Sequence, residues 1–154
     1  MTRTLSMLSA VLMVLVAAAA TQAQTRPDPA DVAARCVATM QQTTDRVVGA
    51  IGGTTSAVLD RIADLDASGA SDDEIIAAGR RGISRVTGLA RMGVARVSRT
   101  ERRCIGVLRR LGADRALIGR VADAADGFRE DIGNAASRGV GAIRQAVDDA
   151  TGGG

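Results

Sequence analysis

Histidine, lysine, tryptophan and tyrosine are absent from this 154-residue chain, and Phe128 is its only aromatic residue. Without histidine there is no imidazole acid–base pair and no histidine metal site. Two cysteines, Cys36 and Cys104, fall short of a four-ligand zinc site. No GxxxxGK[ST] or GxGxxG phosphate loop occurs, and no serine has a candidate base among its neighbours. The acidic residues are scattered, so no catalytic, cofactor-binding or metal-binding residue is assigned and no enzyme is expected. The absence of lysine means that all 20 basic residues are arginine, set against 17 acids for a net charge of +3. A coding bias toward GC-rich codons accounts for this. The functional alternative is selection for guanidinium groups, which grip phosphate and carboxylate bidentately.

Charge is also missing from Thr4 to Thr25, between Arg3 and Arg26. A basic start, the apolar run LSMLSAVLMVLVAAAA and small residues before a cut site are the pattern of a secretory signal peptide. Cleavage after Ala23 is expected, with residues 24–154 forming one domain. The alternative is an uncleaved N-terminal membrane anchor. No cysteine follows the apolar core directly, which argues against a lipoprotein. The expected location is therefore periplasmic or extracellular, in the envelope of a bacterium, where thiols oxidise.

What remains is helical in period. Apolar or small residues recur every three or four positions from Val37 through Met40, Thr44, Val47, Ile51, Thr55, Val58 and Ile62 to Leu65. Asp28 supplies an N-cap and Pro29 a first-turn residue. SDDE at 71–74 is a capping box that starts a second run, Ile76, Gly79, Ile83, Val86, Ala90, Gly93, Val97, Thr100, Cys104, Val107 and Leu111, spaced as a heptad seam. Gly112 suits a left-handed C-cap, and Asp114 caps a third run, Ile118, Val121, Ala125, Phe128, Ile132, Ala136, Val140, Ile143 and Val147, ahead of a flexible 151–154 tail. The predicted fold is all-α, an up-down-up bundle of three long helices at about 28–66, 71–111 and 114–150. GAIGGTT, at 49–55, is the expected kink or break of the first helix. Gly79 and Gly93 lie on the seam and suit close helix approach, whereas Gly88 and Gly106 have no evident packing role.

Folding the first two runs about Gly69 places Cys36 opposite Cys104, and an intramolecular disulfide follows. The rivals are a reactive Cys104 thiol, acidified by Arg102, Arg103, Arg109 and Arg110, and an intermolecular bridge. The helices differ in sign. The first has six aspartates and three arginines, the second ten arginines and four acids, and the third seven acids and five arginines. One consequence is pairing across the bundle. Another is an anion-binding face made of Arg81, Arg85, Arg99, Arg102 and Arg109, which lie off the seam. Missing aromatics and the export signal argue against nucleic acid. The functional expectation is an exported, non-enzymatic structural or interaction protein whose partner is an envelope protein or a second copy. The alternatives are a binder of anionic polymer or lipid surfaces through the second helix, and a holdase whose small-residue seams open to clients.

Overall fold

A computed structural model describes residues 26–152. The expected signal segment, its cleavage point and the last two residues of the expected tail lie outside the described residues. Within them the chain forms three helices: α1 (Pro29–Ala67), α2 (Asp72–Leu111) and α3 (Arg115–Thr151). Each packs against both others in the up-down-up arrangement, and every boundary falls within one residue of its predicted position. At 1.5 Å per residue the rods are roughly 55–60 Å long.

The ends follow from local chemistry. Asp28 Oδ1 accepts from the Ala30 amide at 2.8 Å, and Asp114 Oδ1 from the Leu117 amide at 2.6 Å. At the start of α2 the Glu74 carboxylate accepts from both the amide and the hydroxyl of Ser71, each at 3.0 Å. Those bonds, the backbone one first, hold the Glu74 carboxyl below the usual carboxylate range. Gly112 closes α2 at φ 75°, and the Ala113 amide donates to the Leu108 carbonyl. Gly69 turns the α1–α2 loop at φ 69°. α3 runs further than expected, because the Thr151 hydroxyl donates to the Val147 carbonyl and the Gly152 amide to that of Asp148. The 151–154 tail is thus helix and cap at its first two positions.

The expected break at GAIGGTT does not occur, and α1 is continuous through Gly49, Gly52 and Gly53. Ile51 and Val58 are buried on either side, so tertiary packing overrides the weak helix propensity of glycine. In α2 the heptad pattern holds in part. Gly79, Val86, Gly93, Val97 and Cys104 are buried, but Ile75, Ala78 and Gly82 replace Ile76 and Ile83 near the start, and Leu108 replaces Val107 near the end. That displacement follows the 3.6-residue period of a straight helix, which slips about 20° per heptad against a 3.5-residue coiled-coil seam. In α3, Ala135 and Gly139 are buried in place of Ala136 and Val140.

The core is thin in volume. Met40, Ile51, Ile62, Ile75, Leu108, Ile132 and Ile143 are its largest fully enclosed side chains. Close approach makes this enough. A Cβ on Gly82 would lie 2.5 Å from Val58 Cγ1, one on Gly93 2.7 Å from Val47 Cγ1, and one on Gly139 2.5 Å from Thr55 Oγ1. One on Gly79 would strike Val147 Cγ2. Of the 13 glycines inside the helices, these four are spacers whose replacement would force a neighbouring side chain to move. A Cβ on Gly88 would meet nothing within 4 Å, and one on Gly106 only Arg110 Nη1 at 3.7 Å, so neither glycine is needed for a close approach. Thr44 is buried at 2% exposure with its hydroxyl unpartnered among the described residues, a placement that costs on the order of 1–3 kcal/mol.

Two predictions follow from this packing. Gly82→Ala should destabilise the bundle by about 1–3 kcal/mol in urea unfolding, since Val58 has to move. Gly88→Ala should instead stabilise it by about 0.5–1 kcal/mol. Because the Glu74 carboxyl is held low, its contribution is fully present above the ordinary carboxylate pKa and is lost as pH falls through its lowered value. Glu74→Gln should therefore flatten the acid side of the stability–pH curve, and an unchanged acid limb would contradict the capping assignment.

Candidate functional site: the clamp and the arginine face of α2

Antiparallel α1 and α2 bring Cys36 and Cys104 level, far from the Gly69 loop. Their sulfurs are bonded, with Cα atoms 6.0 Å apart and a sequence separation of 68. No cysteine is free, so the reactive-thiol and intermolecular readings of Cys104 do not hold in this structure. Cys104 is 8% exposed, on the buried face of α2, and Cys36 is half-buried one turn before Met40. At the same end of the rod the Arg26 guanidinium donates to the Arg110 carbonyl at 2.7 Å. The chain leading into α1 is thereby tied to the negative end of the α2 dipole.

All ten arginines of α2 are exposed. The five singled out from sequence, Arg81, Arg85, Arg99, Arg102 and Arg109, are among them, but they do not make one stripe. Between Arg81 and Arg102 three heptads pass, and the slip of a straight helix against the heptad amounts to about 60°, whereas Arg81 and Arg99, five turns apart, share one side. Arg81 and Arg85 line the boundary with α1, where Arg61 stands on the opposite side. Arg99, Arg102 and Arg109 occupy the disulfide half of the rod, Arg102 and Arg109 on the side of α2 away from its buried face. Arg61 was not among the sequence candidates. Its own helix is acidic, and only the hairpin register that pairs Cys36 with Cys104 brings it beside Arg81.

The expected pairing of charges across the bundle is not seen. Among the described residues the only carboxylate–guanidinium pairs belong to Arg129 of α3, which contacts Glu101 of α2 at 2.6 Å and Asp126 of its own helix. Arg129 also donates to Ser98 Oγ at 3.3 Å. The Glu101 bond, then the Asp126 bond, raises the pKa of Arg129. The sign of this clip is opposite to the expected one, with an arginine from the acidic helix meeting an acid of the basic helix. Among the described residues every arginine of α2 is left without a carboxylate partner. Exposed guanidinium groups in water gain little from pairing and lose side-chain entropy by it.

Among the described residues, no three histidine, cysteine, aspartate or glutamate side chains come together as a metal site, and no helix is long and apolar enough to cross a membrane. The arrangement offers a covalent clamp, a narrow core and a long cationic surface.

Reduction of Cys36–Cys104, or the double change Cys36→Ser and Cys104→Ser, should lower unfolding free energy by about 4 kcal/mol on the chain-entropy account of a loop this long. Urea unfolding with and without reductant measures the loss, and a shift below about 1 kcal/mol would contradict a clamping role. No protein-family model, no curated protein and no solved structure matches the chain.

Proposed function

We propose that this chain is an exported, non-enzymatic interaction protein that presents the exposed arginines of α2 to an anionic polymer or surface outside the cytoplasm. One observation carries the reading: ten arginines on one helix are all exposed, and none meets a carboxylate among the described residues. Unpaired guanidinium groups along a rigid rod raise the local concentration of anions and bind phosphate, sulfate or carboxylate bidentately. The disulfide supports an oxidising compartment, and the sequence pattern at residues 1–23 supplies the export signal. On this reading the bundle serves as a scaffold for the surface. The holdase alternative requires the small-residue seams to separate, and the Cys36–Cys104 bond ties α1 to α2 against that.

The mature chain should be retained on immobilised heparin at low salt and released as ionic strength rises. Charge reversal at Arg99, Arg102 and Arg109 together should shift elution to markedly lower salt without altering the circular dichroism spectrum, because all three are exposed. Unchanged elution of a folded variant would overturn the assignment of this face.

A further inference from the structure

Between α1 and α2, on the loop side of the rod's middle, lies an open groove of about 630 Å³. It exists because the residues facing one another across the helix boundary are small. Ala50, Gly53 and Ala57 line it from α1, and Ala78 and Gly82 from α2, with Val58 buried beneath. The close approach of Gly82 to Val58 draws the backbones together at the floor and leaves the walls without side chains to fill the space above.

Three cationic groups stand on its rim, Arg61 from α1 and Arg81 and Arg85 from α2. No acidic residue lines the groove, and none of the three arginines forms an ion pair. Asp73 and Glu74 share an adjoining recess with Arg61 and Arg81, but Glu74 accepts from Ser71 and forms no ion pair with either arginine. Its carboxyl is held low chiefly by the Ser71 bonds and only lastly by the Arg61 charge. The groove is also polarised along its length. From Ala50 to Arg61 α1 rises roughly 16 Å. In the antiparallel register set by Cys36 and Cys104, Arg61 and Arg81 lie in the loop-side half and Arg85 at the middle. The half around Ala50 and Gly53 carries no charge. A second groove, about 530 Å³ between α2 and α3, is lined by Ala90, Val94, Ala136 and Val140 with Arg91 as its one charged residue, and so lacks this cluster.

We propose that the α1–α2 groove binds a single-chain anionic amphiphile of the fatty-acid type. Its carboxylate is held among Arg61, Arg81 and Arg85, and its hydrocarbon chain lies over Gly53 and Ala50. The volume falls within the range of small-molecule sites, and convergent guanidinium groups above an apolar floor are complementary to such a head and tail. The inference rests on the reading that the arginine surface of this chain engages anions, and it narrows the class of anion at the loop end of α2.

The test is calorimetric titration of the oxidised mature chain with decanoate below its micelle concentration, beside acetate and decyltrimethylammonium at the same ionic strength. Decanoate is expected to bind at one site, with acetate and the cationic amphiphile at least ten-fold weaker. Arg81→Gln with Arg85→Gln should weaken decanoate at least ten-fold. Gly53→Leu should do the same by filling the groove. A Cβ at Gly53 meets nothing within 4 Å, and leucine favours the helix, so that variant keeps its fold. Heparin retention of Gly53→Leu should match the parent, because the arginines are untouched. Absence of decanoate binding, equal binding of acetate or of the cationic amphiphile, or indifference to Gly53→Leu would each overturn the groove assignment. If heparin is retained while decanoate fails, the groove inference alone falls. If heparin is not retained by the parent, the broader reading falls, whatever decanoate does.

Discussion

Four glycines hold the three backbones at a separation that a larger residue would disturb by displacing a facing side chain. Val58 lies against Gly82, Val47 against Gly93, Thr55 against Gly139 and Val147 against Gly79. With one phenylalanine, Cys104 and a core otherwise drawn from alanine, valine, isoleucine, leucine and methionine, there is little side-chain volume to fill a wide space. Dispersion contacts fall away steeply with a gap, so a thin core works only if the helices come close. Those contacts also set the register, since each glycine accepts one particular side chain from a neighbouring helix.

Register in turn decides the chemistry. The alignment that seats Val58 on Gly82 near the loop brings Cys36 level with Cys104 near the opposite end, where the covalent bond closes the hairpin. The bond offsets a weakness written into the same helices. Nine further glycines lie inside them without meeting a neighbouring helix, and each costs roughly 0.5–1 kcal/mol relative to alanine. The helices that carry this burden are long, capped at both termini of α2 and at the starts of α1 and α3, and joined by short turns, so packing is propagated along the whole rod.

The surface is organised by the same geometry. Because each helix buries a face against two neighbours, the arginines of α2 remain on the outside, Arg81 and Arg85 bordering α1, and Arg81 and Arg99, five turns apart, sharing one side of the straight helix. The single cross-helix ion pair, Arg129 with Glu101, clips α3 to α2 and leaves α2's own cations available. A net charge of only +3 thus conceals a strongly basic face backed by acidic ones.

The fold class, the three helix spans, their caps and the cysteine pairing were all legible in the residues, because they depend on interactions local to the chain or on the symmetry of a hairpin about Gly69. Asp28, Ser71, Gly112 and Asp114 act through backbone groups a few residues away, and equal distances from a short turn put Cys36 and Cys104 opposite each other. The outward placement of Arg81, Arg85, Arg99, Arg102 and Arg109 was legible for the same reason, since helical period alone puts them off the seam. Their division was not, nor was the continuity of α1 through Gly52 and Gly53, nor the burial of Gly82 and Gly139 in place of Ile83 and Val140. Each of these depends on how near a neighbouring helix comes and at what angle. That distance is set by contacts between residues far apart in sequence, and Arg61 beside Arg81 exists as a cluster only once α1 and α2 have docked.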